Sequence, residues 1–325
     1  MVTKRMINTL NNLLDGVFLI ILAIFFYLGL PIQSTPIVNV PQGSIASIIA
    51  YLSKNGFDIN QFDKNILRLL GKPQSGAIDM SQAIQIYTKA DSAKGYAIAK
   101  GDFLYYLTAA KAAQQSITLI PGETMYFFIQ NIASELNLNE AKLWEAYHKY
   151  APYDDGVILP NTYKIPSQID EDKLISNLIA RSMQIHENLA TKHLGRYEQN
   201  EWFRYVSMAS IVQKEAANIQ EMPIVAAVIY NRINIGMPLQ MDGSLNYGKY
   251  SHLKITPERI RNDASPYNTY RNKGVPPAPV GSASIEAIEA VLNPASVDYL
   301  YFVRNKNGTH SFSKTFKEHR ENFNK

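Results

Sequence analysis

The chain has 325 residues, 46% apolar and 18% charged, a composition that suits a folded protein and excludes disorder. With 32 basic against 28 acidic residues the net charge is only +4, so no clustered basic face argues for nucleic acid. Cysteine is absent, which rules out a catalytic thiol, a thiolate metal site and a disulfide framework.

Gly16 to Ile32 carries no charge, and Leu13 and Leu14 extend the apolar run at the cost of including Asp15. A spanning helix needs about 20 apolar residues, with roughly 17 as the lower limit. The expectation is a cytoplasmic tail over 1–12 and a transmembrane helix over 13–32. Lys4 and Arg5 precede the run and the next basic residue is Lys54, which predicts a single pass with the N-terminus inside. Pro31-Ile32-Gln33-Ser34-Thr35 is a poor cleavage site, so an uncleaved anchor is expected rather than a signal peptide.

Residues 33–42 read as a short linker bearing Pro, Ser and Thr. Two similar segments follow. Val40-Pro41-Gln42-Gly43-Ser44-Ile45 leads into Ile48, Ile49 and Leu52 and closes near Asn60. Ile120-Pro121-Gly122-Glu123-Thr124-Met125 leads into Phe128, Ile129 and Ile132 and closes near Asn139. Each predicts a strand, a turn, a Ser or Thr cap and an amphipathic helix, as a small α/β module used twice would. The turn Pro152-Tyr153-Asp154-Asp155-Gly156 marks a boundary. The expected organisation is a membrane-proximal region over 33–155 and a second domain over 156–325, in an α+β fold.

The second half opens with predicted helices over Glu171–His193, Asn200–Asn218 and Ile224–Ile235, with Pro223 in the first turn of the third and Gly236 stopping it. Tyr299–Val303 and His310–Ser313 bracket Asn305-Lys306-Asn307-Gly308 as a hairpin. A last helix starts at Thr315.

Glu215 follows Ile211 and Val212 at helical spacing, on or beside the apolar face. A carboxyl against apolar surface has a raised pKa and can hold a proton near neutral pH. Spacing alone also admits a solvent-facing glutamate beside Lys214. Gln240, Asp242 and Ser244 alternate, so on an extended segment they would share one face and suit sugar hydroxyls, or simply line a polar loop. The run from Gly274 through Pro276, Pro277 and Pro279 is neither a regular helix nor a central strand. The six histidines form no HExxH pair, so neither metal nor cofactor is expected.

These residues together resemble a known family, the endolytic murein transglycosylases, also called MltG or YceG-like proteins, of the bacterial inner membrane. Leu159-Pro160-Asn161-Thr162-Tyr163 and Ala209–Glu215 match its motifs, followed in order by Tyr230-Asn231-Arg232, Leu239-Gln240 with Asp242, Tyr247-Gly248, Ser265–Tyr270, Gly274 with Pro276-Pro277, and His310 with Phe312-Ser313. Gln213 stands where the family usually has Glu. Met241, Gly243 and Ser244 replace Thr, Pro and Thr, and Ala278 replaces a Gly.

The resemblance implies a LysM-like membrane-proximal module and a mixed helix–strand catalytic domain on the periplasmic side. The implied substrate is the peptidoglycan glycan strand, cut to leave 1,6-anhydro ends, with peptidoglycan synthases as implied partners. Glu215 is the implied catalytic acid and base. Asn231, Arg232, Gln240, Asp242, Ser244, Tyr247, Ser265, Tyr267, Asn268, Thr269 and Tyr270 are the implied substrate contacts. Two rival readings stand beside it: a glycoside hydrolase using Glu215 with Asp242, and an anchored glycan-binding protein without catalysis.

Overall fold

The computed structural model describes residues 2–87, 96–109, 114–166 and 169–323. The chain forms two compact units, Met1–Gln115 with Lys164–Gln168, and Ser116–Tyr163 with Ile169–Lys325.

The first unit opens with helix α1 (Val2–Leu28). Strands β1 (Pro31–Ser34) and β2 (Ile37–Val40) come next, then helices α2 (Ile45–Lys54) and α3 (Gln61–Leu70). Strand β3 (Gly76–Asp79), helix α4 (Ser81–Tyr87), strand β4 (Tyr96–Ala99) and helix α5 (Lys100–Ala109) complete it. β2 and β3 pair antiparallel from Ile37 opposite Asp79 to Val40 opposite Gly76. β1 pairs with β4 in the same sense, Pro31 opposite Ala99. Leu52, Leu67, Ile78, Ile98, Phe103 and Leu107 are core residues with essentially no exposure. The expected linker over 33–42 is therefore largely strand. Val38 and Val40 alternate inward from exposed Ile37 and Asn39, a period-2 signal too short to read beside Pro36 and Pro41.

The expected span over 13–32 also changes shape. α1 stops at Leu28, because Pro31 cannot continue a helix and its strand pairs with β4 instead. Among the described residues no helix is long and apolar enough to cross a membrane. The end of α1 is fixed by side chains: the Tyr27 ring meets Phe62 edge-on at 4.9 Å, and its hydroxyl donates to Asp63 Oδ1 at 2.9 Å. Buried Lys100 completes this knot, 3.9 Å from Asp63 and 3.6 Å from Asp58.

The division between units runs through β5 (Gln114–Leu119) and its partner β6 (Asn161–Pro166). Between these strands lie α6 (Met125–Leu136) and α7 (Glu140–Tyr150). The order strand, helix, helix, strand thus occurs twice, as the repeated sequence predicts. Asn60 caps the second helix of one copy and Asn139 that of the other. The first helices differ. Ser44 accepts the Ser47 N–H as a cap, whereas Thr124 makes no cap hydrogen bond. Residues 116–155 group with the second unit rather than with 33–115, because α7 packs on the helix over Glu171–Leu194 and residues 122–124 bond to Gly248 and Ser282.

The second unit continues with α8 (Glu171–Leu194), capped by Asp170 and ended by Gly195 at φ 77°. Then come α9 (Gln199–Glu215), α10 (Met222–Asn234), α11 (Pro257–Asn262) and α12 (Ile285–Leu292). The hairpin β7 (Tyr301–Arg304) and β8 (His310–Ser313) precedes α13 (Phe316–Asn322), which opens on a Thr315–Glu318 capping box. α9 ends three residues earlier than its apolar pattern suggests, since Asn218 caps a separate short turn over Ile219–Glu221. Its buried face holds Trp202, Phe203, Val206, Ile211 and Val212. The Trp202 indole donates to His186 Nδ1 at 3.0 Å, so the imidazole proton sits on Nε2, 3.2 Å from the Val157 carbonyl. Burial lowers the His186 pKa to about 4, and the ring is neutral.

Candidate active site

Glu215 is the last residue of α9, half-buried where the helix meets a loop from Leu239 to Leu245. Its Oε1 accepts the Gly243 N–H at 2.6 Å. Burial raises its pKa to about 7; the Gly243 N–H opposes the rise, the charge of Asp242 adds to it and Arg232 lowers it. The expected raised carboxyl is present, and it can be protonated or charged near neutral pH.

The loop around Gly243 is pinned by the segment Asn268–Tyr270. The Gln240 N–H donates to the Thr269 carbonyl at 3.1 Å, and the Met241 N–H to Thr269 Oγ1 at 3.1 Å. Ser244 Oγ donates to the Met241 carbonyl at 2.7 Å and lies 2.8 Å from Thr269 Oγ1. Asn268 is buried, its amide donating to the Ile260 and Asp263 carbonyls at 2.8 and 2.7 Å. Gln240 holds a left-handed backbone at φ 49°, a costly state for a non-glycine residue that surrounding bonds must sustain.

The expectation that Gln240, Asp242 and Ser244 share one extended face does not hold. Asp242–Leu245 forms a tight 3-10 turn. Gln240 and Asp242 face outward while Ser244 is fully buried. Ser244 and Thr269 serve the loop's own bonding.

The other expected substrate contacts divide in two. Tyr270 donates to Asp242 Oδ1 at 2.7 Å. Tyr247 stacks on Tyr267 with ring centroids 4.5 Å apart, and its hydroxyl reaches Asp263 Oδ2 at 3.3 Å. The half-buried Ser265 sits in the same segment, its N–H donating to Asp263 Oδ1 at 2.8 Å. Asn231 instead spends its amide on the Val297 and Tyr299 carbonyls, at 2.8 and 3.0 Å. Arg232 is buried, its guanidinium donating to the Leu300 carbonyl at 2.7 Å and to that of Leu239. Both act on the chain itself, tying α10 to the strand region and to the start of the Glu215 loop.

α9 also organises the proline-rich run. Ser207 Oγ lies 3.0 Å from the Pro276 and Ala278 carbonyls, and Ser210 Oγ accepts the Val280 N–H at 3.0 Å. Gln213 Oε1 accepts the Ser284 N–H at 3.1 Å. This amide therefore anchors the start of α12 and puts no second carboxylate beside Glu215.

Sequence reasoning passed over a buried charged group behind the acid. Met125 N–H donates to Asp155 Oδ1 at 2.6 Å, and Thr124 Oγ1 to the Gly248 carbonyl at 3.0 Å. Glu123 Oε2 meets His252 Nε2 at 2.9 Å, and His252 stacks on Phe127 with centroids 3.8 Å apart. Lys214 reaches Ser251 Oγ at 3.0 Å. Burial lowers its pKa to about 8, against the charges of Asp155 and Glu123. A second missed pair is Glu221 with His310, Oε2 to Nδ1 at 2.7 Å; Asn218-x-x-Glu221 was a legible cap signal for it. Among the described residues, no three His, Cys, Asp or Glu side chains gather as a metal site.

An acid at a helix end, with a pKa near neutrality and polar and aromatic side chains around it, has the chemistry that general acid–base work requires. The family follows from comparison: residues 38–325 match the YceG-like family, and the chain belongs to it. It is 29% identical over 313 residues to the endolytic murein transglycosylase of Bacillus subtilis (strain 168), covering 88% of this chain and 83% of that protein. The endolytic murein transglycosylase of Streptococcus pneumoniae (strain ATCC BAA-255 / R6) is 30% identical over 242 residues, covering 71% of this chain but 41% of the relative. The crystal structure of a yceG-like protein from Listeria monocytogenes shares the fold, with a TM-score of 0.54 at 22% identity over 89% of this chain and 99% of that one.

Proposed function

We propose that this protein is an endolytic murein transglycosylase that cleaves peptidoglycan glycan strands between N-acetylmuramic acid and N-acetylglucosamine. The observation that carries the reading is Glu215, a half-buried acid with a pKa of about 7 on the helix that matches the family's catalytic motif. Its carboxyl gives a proton to the glycosidic oxygen as the bond to C1 of the muramic acid breaks. As carboxylate it then takes the proton of that sugar's own C6 hydroxyl, whose oxygen bonds to C1. The products are a new 4-hydroxyl end and a 1,6-anhydro end, and no water is consumed. A tethered nucleophile needs no second acid to activate it. This sets the reaction apart from hydrolysis by paired carboxylates.

Tyr247 and Tyr267 present ring faces suited to sugar rings, and exposed Gln240 and Asp242 add polar groups on the rim of the loop. The experiment is mass spectrometry of glycan strands treated with the protein and with Glu215→Gln. Anhydro ends from the first and none from the second are expected. Reducing ends would reject the reading in favour of a hydrolase.

The same proposal places the chain in the bacterial inner membrane with α1 as its anchor, its N-terminus cytoplasmic and its catalytic unit periplasmic. Val17, Phe18, Leu19, Ile20, Ile21 and Leu22 are all exposed in succession, so this stretch of α1 is apolar on every face, which suits lipid rather than water. The solvent-facing run Leu13–Phe26, which includes Asp15, extends about 21 Å at 1.5 Å per residue, short of a hydrocarbon core of about 30 Å. The module β2–α2–α3–β3 is read as LysM-like, and peptidoglycan synthases as partners that supply nascent strands. Membrane fractionation with and without residues 1–28 tests the anchor.

A further inference from the structure

Glu215 has two oxygens, and the structure treats them differently. Oε1 accepts the Gly243 N–H at 2.6 Å. No comparable bond holds Oε2 among the described residues. The donor is fixed from several sides: Gln240 and Met241 hang on Thr269, Ser244 closes back on Met241, and the Asn246 N–H closes the turn on the Gly243 carbonyl at 3.2 Å. In this loop the close approach depends on the absence of a side chain at 243. A Cβ at 243 would lie 2.7 Å from Lys214 Cβ and 3.0 Å from Glu215 Oε1.

We propose that the backbone N–H of Gly243 selects the reacting oxygen of Glu215, holding Oε1 as an acceptor so that the transferable proton resides on Oε2. The inference rests on Glu215 being the acid of the reaction. A protonated Oε1 would be a much poorer acceptor, so a proton there would weaken this hydrogen bond. The neutral acid therefore has one favoured proton site, already ordered before substrate arrives. The same N–H stabilises the carboxylate left after the first transfer. When Oε2 then removes the C6 proton, one oxygen both gives and takes, and the carboxyl need not rotate between steps. Gly243 is thus a positioning residue acting through Glu215. A proline at 243 would have no N–H and could not take this part.

The test replaces the Gly243 amide by an ester, using glycolic acid at 243 in the full chain. This removes the N–H and adds no side chain. Turnover of glycan strands to anhydro ends is followed against pH. With the N–H gone the carboxylate loses a donor, so the alkaline limb should move up by about 0.5–1 pH unit. The maximal rate should fall by roughly tenfold or more, as loss of one preorganised donor does. A 13C titration of the Glu215 carboxyl, assigned by difference from Glu215→Gln, should show the same upward shift without any turnover. An ester chain with an unmoved limb and an unmoved titration overturns the proposal, whatever its rate. Glu215→Gln is the separate control: if it still makes anhydro ends, the assignment of the acid itself fails.

Discussion

The Tyr270 hydroxyl donates a hydrogen bond to Asp242 Oδ1 at 2.7 Å, and Asp242 immediately precedes the glycine that binds Glu215. The exposed aspartate is therefore held beside the acid without joining it. Its charge raises the Glu215 pKa. Asp242→Asn should let that pKa fall, moving the alkaline limb of the pH–rate profile down by about 0.5 unit, with roughly a threefold loss above neutrality. A variant inactive at every pH would instead make Asp242 a second catalytic acid.

Asp155 titrates differently from an ordinary aspartate. Burial raises its pKa from 3.8 to about 7, against the Met125 N–H and the charge of Lys214. Between these values the folded protein holds a proton that the unfolded chain has lost, so stability falls as pH rises through this window. The loss is on the order of 4 kcal/mol at about 1.4 kcal/mol per unit. Asp155→Asn keeps an acceptor for Met125. Thermal unfolding of this variant should be less sensitive to pH between about 4 and 7 than that of the unchanged protein.

Arg232 joins two carbonyls that no shorter or single-pronged cation can bridge, those of Leu300 and Leu239. Arg232→Lys should cost about 2 kcal/mol, lowering Tm by roughly 4–8 °C. Because Leu239 leads into the Gln240 loop, activity should drop at temperatures where the fold is still intact. An unchanged Tm would show that the two carbonyls do not depend on the guanidinium.

Gly156 sits at φ 75°, and a Cβ there would lie 2.6 Å from both Cβ and Cγ of Pro279. Gly156→Ala should destabilise by about 2–3 kcal/mol, from backbone strain and overpacking together. Urea unfolding measures this. A loss under about 0.5 kcal/mol would mean that the proline-rich run yields easily.

The sequence reading reached much of the helical frame because its signals are local. Pro223 falls in the first turn of α10, and the last helix opens where Thr315 predicts. The hairpin 301–313 and the twofold use of one small module were also legible. Glu215 is legible as a candidate acid from its place on the periodic face of α9 together with the family's motif. What escaped were relations fixed by distant backbone. Asp155 looked like turn chemistry, yet it binds Met125 thirty residues back. Ser244 looked like part of a polar face, yet the 3-10 turn buries it against Thr269. Gly243 was visible only as a departure from the family pattern; its N–H matters because of where a separate helix ends.

The missing cap on Thr124 carries a practical lesson. Ser44 closes the first turn of its own helix, so that copy of the module satisfies its opening turn by itself. Its counterpart has handed that duty to Asp155 and Glu123, while Thr124 binds Gly248. One copy closes its own first turn; the other has become an organ of the unit that carries Glu215. A catalytic fragment trimmed to begin at Gly156, where the turn invites the cut, would lose that organ. A fragment meant to work should start before Ser116.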